Sequence, residues 1–140
     1  MYQIWTARSL VTAKKVTNGL RAEIPLIVYN GAFIVDNLTG EVFANYFDES
    51  VGSVLDDLFG NQIFPIVYAR IDGKEKFSYV PELCTDGTKK FLLSRQGDVR
   101  TNVVRSVENL KVGNIFYITC IDSPEKLSQC TINIKKHFTV

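Results

Sequence analysis

Residues 26–47, LIVYNGAFIVDNLTGEVFANYF, decide how the rest of the chain is read. The run at 26–29 follows Pro25 without a polar break, the pattern of a strand buried on both faces, as in a parallel sheet with helices above and below. Asn30-Gly31 then stops it. Residues 33–36 and 41–47 read as two further strands, joined by Asn37-Leu38-Thr39-Gly40, a cluster of turn formers in which Gly40 is free to take a positive φ. A buried strand therefore hands the chain to a hairpin.

Upstream, residues 2–5 read as a short strand and Thr6-Ala7-Arg8-Ser9 as the turn into a helix over 10–19. Ser9 stands at the N-cap, with Leu10, Ala13, Val16 or Thr17, and Leu20 facing inward. A polar loop between a strand and a helix N-terminus is an anion site in outline, because backbone N–H groups and the helix dipole point at whatever sits there. The Thr6 hydroxyl and the Arg8 guanidinium would add donors suited to phosphate oxygens. Spacing alone favours an ordinary capped loop over an anion site. Asn30-Gly31 is open in the same way: a glycine permits close backbone approach to a ligand and an asparagine amide orients it, yet Asn-Gly is also a common tight turn.

Downstream, Asp48 reads as the N-cap of a helix carrying Val51, Val54, Leu55, Leu58 and Phe59 on one face, with Gly60 as its stop. Asp56 and Asp57 diverge by about 100° around that helix and read as its solvated side. Residues 63–71 and 75–80 form a second hairpin about Asp72-Gly73. Thr85 or Asp86 caps a helix through Phe91, Leu92 and Leu93, and a basic loop containing Arg95 and Arg100 follows. Residues 107–112 are a short connection and 114–121 a buried strand. Asp122-Ser123-Pro124-Glu125 then opens a last helix, with Leu127, Cys130 and Ile134 on one side.

The bulk properties exclude more than they assert. A chain of 140 residues with 46% hydrophobic and 22% charged side chains is an ordinary globular domain in size and composition. A net charge of +1 offers no general attraction to nucleic acid or anionic membranes, and aromatics do not interleave with a basic stripe. No GxGxxG follows any strand, which argues against a dinucleotide enzyme. Charge is unevenly placed: Asp36, Glu41, Asp48, Glu49, Asp56 and Asp57 fall in 27–62, a stretch without basic residues. No apolar run approaches the ~20 residues of a membrane helix, and no signal-peptide order is present, so a cytoplasmic location is expected. Cys84, Cys120 and Cys130 are widely spaced and His137 is alone, so idle thiols, no zinc site and a surface histidine are expected.

The segment IVYNGAFIVDNLTGEVF, with TARS at 6–9 before it and FPIVYARIDGKEKFSYV after it, resembles the Cof-like (HAD-IIB type) hydrolases of the haloacid dehalogenase superfamily. That resemblance implies an α/β fold: partial doubly wound core strands leading into an α/β cap with a mainly antiparallel sheet. It divides the chain into a core remnant at 1–47 and a cap at 48–140. In such enzymes, which are magnesium-dependent phosphatases, Thr6 matches the residue that binds the phosphoryl group and Arg8 the arginine often just after it. Asn30 and Gly31 match the NGA segment beside the substrate phosphate, and Arg95 or Arg100 of the cap could contact an anionic group, although a basic run of this kind reads first as a solvated face. The DxDGT loop with its nucleophilic aspartate, the later lysine and the GDxxND loop are missing. The resemblance therefore implies a truncated chain, inactive alone, without a catalytic residue or metal of its own, although a complete relative holds magnesium. A small phosphorylated metabolite is the implied ligand, and an exposed core edge implies a homodimer. The alternative is a non-catalytic α/β module binding a small anion or a protein partner.

Overall fold

The computed structural model describes residues 4–19 and 23–137, the side chains of 131–137 excepted. Leu20, the strand positions before Ile4 and the side chains of Ile134 and His137 lie outside the described residues. Two compact units form, the first closing at Tyr46 and the second opening at Phe47.

In the first unit β1 (Ile4–Trp5) leads to α1 (Leu10–Val16), β2 (Leu26–Val28), β3 (Phe33–Val35) and β4 (Val42–Ala44). The four strands lie in chain order, with β1 and β2 parallel and the other pairs antiparallel. Ser9 caps α1: its hydroxyl accepts from the Thr12 amide, while the Thr17 hydroxyl donates to the Ala13 carbonyl at the other end. The helix is shorter than expected because Thr17 has left helical geometry, at φ −100 and ψ 6, and Val16 is 60% exposed rather than inward.

The double-sided burial expected of the central strand does not form. Leu26 and Val28 are buried, with Phe33 and Val35 beside them on the sheet, but Ile27 is only half buried. Trp5, Ile27, Ile34 and Phe43 stand opposite one another across all four strands and so share the other face. Trp5 is 70%, Ile34 45% and Phe43 58% exposed. One sheet with one α-helix among the described residues has apolar cover for a single face.

The second unit begins with α2 (Val51–Gly60), followed by β5 (Ile66–Ile71), β6 (Lys74–Tyr79), α3 (Asp86–Leu93), β7 (Thr101–Val103), β8 (Asn114–Thr119) and α4 (Pro124–His137). The sheet order is β7-β6-β5-β8, antiparallel except where β7 joins β6 through the α3 crossover. Asp48 is not the cap of α2. Its carboxylate accepts from the Ser50 amide and hydroxyl, tightening a turn in which the Val51 amide bonds the Asp48 carbonyl, so the helix starts later. Those bonds hold the Asp48 carboxyl below its ordinary range.

Val54, Leu55 and Leu58 of α2 pack with Val67 and Ala69 of β5, Ile115 of β8 and Cys130 of α4 into one core. The opposite sheet face carries an aromatic row: Tyr68 pairs with Phe77 and Tyr117, its ring 5.7 and 5.5 Å from theirs. A register shift between Tyr68 and Ala69 leaves Phe116 as an extra residue on β8, which restores inward and outward alternation on both sides of it.

Candidate functional site

The four positions singled out in the first unit come together. Thr6 directly follows β1, and its amide donates to the Ile27 carbonyl while its carbonyl accepts from the Asn30 amide at 3.3 Å. The Tyr29 amide donates to the Arg8 carbonyl at 3.0 Å. Two loops are thereby zipped at the same end of parallel strands. The Thr6 Oγ1 accepts the Arg8 amide at 3.1 Å, which fixes the oxygen and leaves the hydroxyl proton to donate.

The second loop is bent by three successive positive φ values: 51° at Tyr29, 54° at Asn30 and 101° at Gly31. Glycine takes this region freely and asparagine tolerates it, but a tyrosine there carries about 1–3 kcal/mol of strain. The buried Tyr29 ring, edge-on to Phe33 at 5.6 Å, and the bond to Arg8 hold it in place. The helix contributes less than its sequence position suggests. Its capped amide at Thr12 is already taken by Ser9, and the helix is only 7 residues long.

Chemically, the Thr6 hydroxyl is a donor suited to an anion, and Arg8 adds a guanidinium to the same loop. Magnesium requires oxygen ligands with negative charge, usually carboxylates. The hairpin's own carboxylate, Asp36, is committed to the Leu38 and Thr39 amides, which lower its pKa. These residues therefore do not make a magnesium site by themselves. Among the described residues no group of three or more His, Cys, Asp or Glu side chains has metal-binding geometry.

Arg95 and Arg100, read from sequence as one basic surface, do different things. Arg100 is 9% exposed, donating to both oxygens of Asp98 at 2.9 and 2.6 Å and to Glu75 at 2.8 Å. It is a structural tie between the loop and β6 rather than a ligand contact, and it holds the Asp98 carboxyl below its ordinary range. Arg95 stacks at 3.4 Å over the Phe91 ring and stays half exposed. The sequence signal for Arg100 was nearby Asp98 within an otherwise basic loop.

Other readings resolve locally. Asp56 pairs with Lys111 at 2.6 Å, so that part of the acidic stretch meets a basic partner within the second unit. The segment CTDGT at 84–88 shares three letters with the nucleophile loop, but it forms the capped start of α3, with Cys84 where an aspartate would be needed. Its thiol donates to the Val80 carbonyl. Burial pushes Cys120 up to about 11, and Cys84 and Cys130 are raised for the same reason, which disfavours the thiolate. No helix among the described residues is long and apolar enough to cross a membrane.

A family model for haloacid dehalogenase-like hydrolases matches residues 2–140. The chain belongs to this family. A haloacid dehalogenase-like hydrolase from Bacteroides thetaiotaomicron superposes with a TM-score of 0.67 at 13% identity, covering 94% of this chain and 50% of that one. Another, from B. subtilis, gives 0.64 at 15% identity, covering 95% and 54%. The haloacid dehalogenase-like fold is thus shared, and the chain spans about half the length of these relatives. No curated protein sequence gives a significant match.

Proposed function

We propose that this chain carries the phosphate grip and cap of a magnesium-dependent haloacid dehalogenase-type phosphatase acting on small phosphate monoesters. The observation that carries the reading is the zipped pair of loops, in which the Thr6 hydroxyl is oriented as a donor beside the Asn30 bend. Thr6 and Arg8 bind phosphoryl oxygens, and Gly31 allows the backbone to approach them. Residues 1–47 act as core and 48–140 as cap. Magnesium, when bound in a complete relative, neutralises charge on the transferring group. The 140 residues contain no DxDGT or GDxxND motif, so turnover by this chain alone is not expected. A cytoplasmic setting agrees with three free thiols.

The test combines activity with binding. Incubated with p-nitrophenyl phosphate and magnesium, the purified chain is expected to release no p-nitrophenol; release abolished in Thr6→Ala would contradict inactivity. Calorimetry with inorganic phosphate is expected to show binding about tenfold weaker in Arg8→Ala, the scale of one charge-assisted hydrogen bond. Phosphate binding unaffected by Thr6→Val and Arg8→Ala would remove the grip from this loop. The second reading, a non-catalytic anion-binding module, rests on the same loop and the missing nucleophile. It gains if supplying the absent motifs on a second polypeptide never restores turnover although phosphate binds.

A further inference from the structure

The second unit contains a groove of about 610 Å³ between α3, the following loop and the β6–β7 edge. This size lies within the ~300–1,000 Å³ of small-molecule sites. Tyr79 and Leu92, with the buried Phe77 beneath them, give it an apolar floor, and Leu93, 69% exposed, extends that surface to the rim. Lys89 and Arg95 are its cationic lining residues, and no acidic side chain lines it. Arg100 lies close by, over the Phe77 ring at 5.8 Å, but its charge is answered by Asp98 and Glu75. The positive character of the groove therefore comes from the other two cations.

Arg95 is pre-positioned for an anion. Its Nη1 donates to the Phe91 carbonyl at 3.3 Å and the Ser94 hydroxyl at 2.9 Å, and its plane rests on the Phe91 ring. A guanidinium has five N–H donors, so holding it this way leaves donors for a ligand and removes much of the entropy cost of ordering it. Lys89 is only loosely paired, at 3.7 Å from an Asp86 carboxylate that is itself 98% exposed. Aromatic floor, fixed guanidinium and absence of lining acids together select against cations and against small, fully hydrated anions.

We propose that this groove binds a small organic anion, its flat apolar body resting on Tyr79 and Leu92 and its charged end meeting Arg95 and Lys89. The site lies wholly within the second unit and does not rest on the Thr6 grip, so either assignment can fail alone.

The full chain titrated with 2-naphthoate, an aromatic carboxylate without phosphate, tests it by calorimetry. Binding is expected to weaken about tenfold in Arg95→Met and in Leu93→Glu, one charge-assisted contact being worth that much. Leu93→Glu changes an exposed rim residue and so keeps the test valid if Arg95→Met does not fold. Thr6→Val is expected to leave the affinity unchanged. Four results would overturn the assignment: no binding up to millimolar 2-naphthoate, equal binding of neutral 2-naphthalenemethanol, indifference to both groove variants, or loss only in Thr6→Val.

Discussion

Asn30 shows how much one residue's backbone contributes to the candidate phosphate loop. At φ 54° an alanine is strained by about 1–2 kcal/mol while a glycine is not. Asn30→Ala is therefore expected to lower the urea midpoint, and Asn30→Gly to retain it within a few tenths of a kcal/mol while losing the side-chain amide. Equal destabilisation by both variants would show that the amide, rather than the backbone, holds the bend. Arg100 makes the opposite case, a charge whose value is structural. Removing it leaves Asp98 and Glu75, about one-fifth exposed, without their cation. A loss of about 2–3 kcal/mol is expected for Arg100→Met, less than the ~3–5 kcal/mol of a fully buried pair. Because Asp98's folded pKa is depressed, this stabilisation is present above about pH 4 and fades as pH falls through the lowered value. Acid unfolding followed by circular dichroism should show a smaller drop below pH 4 in Arg100→Met than in the parent chain.

At the scale of elements, local rules fixed the turns and the start of α3, but misplaced the start of α2 and the end of α1. Thr85 caps α3, its hydroxyl accepting from the Thr88 amide and donating to the Ile121 carbonyl, and Asp72-Gly73 turns β5 into β6 with φ values of 49° and 73°. Both were legible because the chemistry lies within four residues. The entry to β8 was not. Gly113 has φ 91°, and a Cβ there would sit 2.7 Å from the Arg70 carbonyl oxygen and 2.8 Å from Ile71 Cγ1. Gly113→Ala is accordingly expected to cost at least about 2 kcal/mol, read as a lower thermal midpoint. A neutral substitution would mean that the β5–β8 pairing yields easily. No sequence pattern around Gly113 announces this, because the obstructing atoms belong to a strand more than forty residues earlier.

For the whole molecule, the exposed row of Trp5, Ile27, Ile34 and Phe43 is the feature with the largest consequence. Contiguous apolar surface of this kind favours association, and open strand edges add to it. The chain is expected to self-associate, and Ile34→Lys combined with Phe43→Lys to shift it towards monomer in light scattering; a monomeric parent at high concentration would contradict this. Among the described residues, residue types and their spacing determined the four α-helices and every strand but β7, and the segment at 26–47 carried the resemblance to the family that the chain belongs to, because caps, turns and periodicity are written within a few residues of where they act. Tertiary structure alone decided that Thr6 and Asn30 meet, that Arg100 is neutralised while Arg95 faces a groove, and that one face of the first sheet stays uncovered. Each of those outcomes depends on which distant side chains arrive at the same place, and local sequence spacing does not encode that meeting.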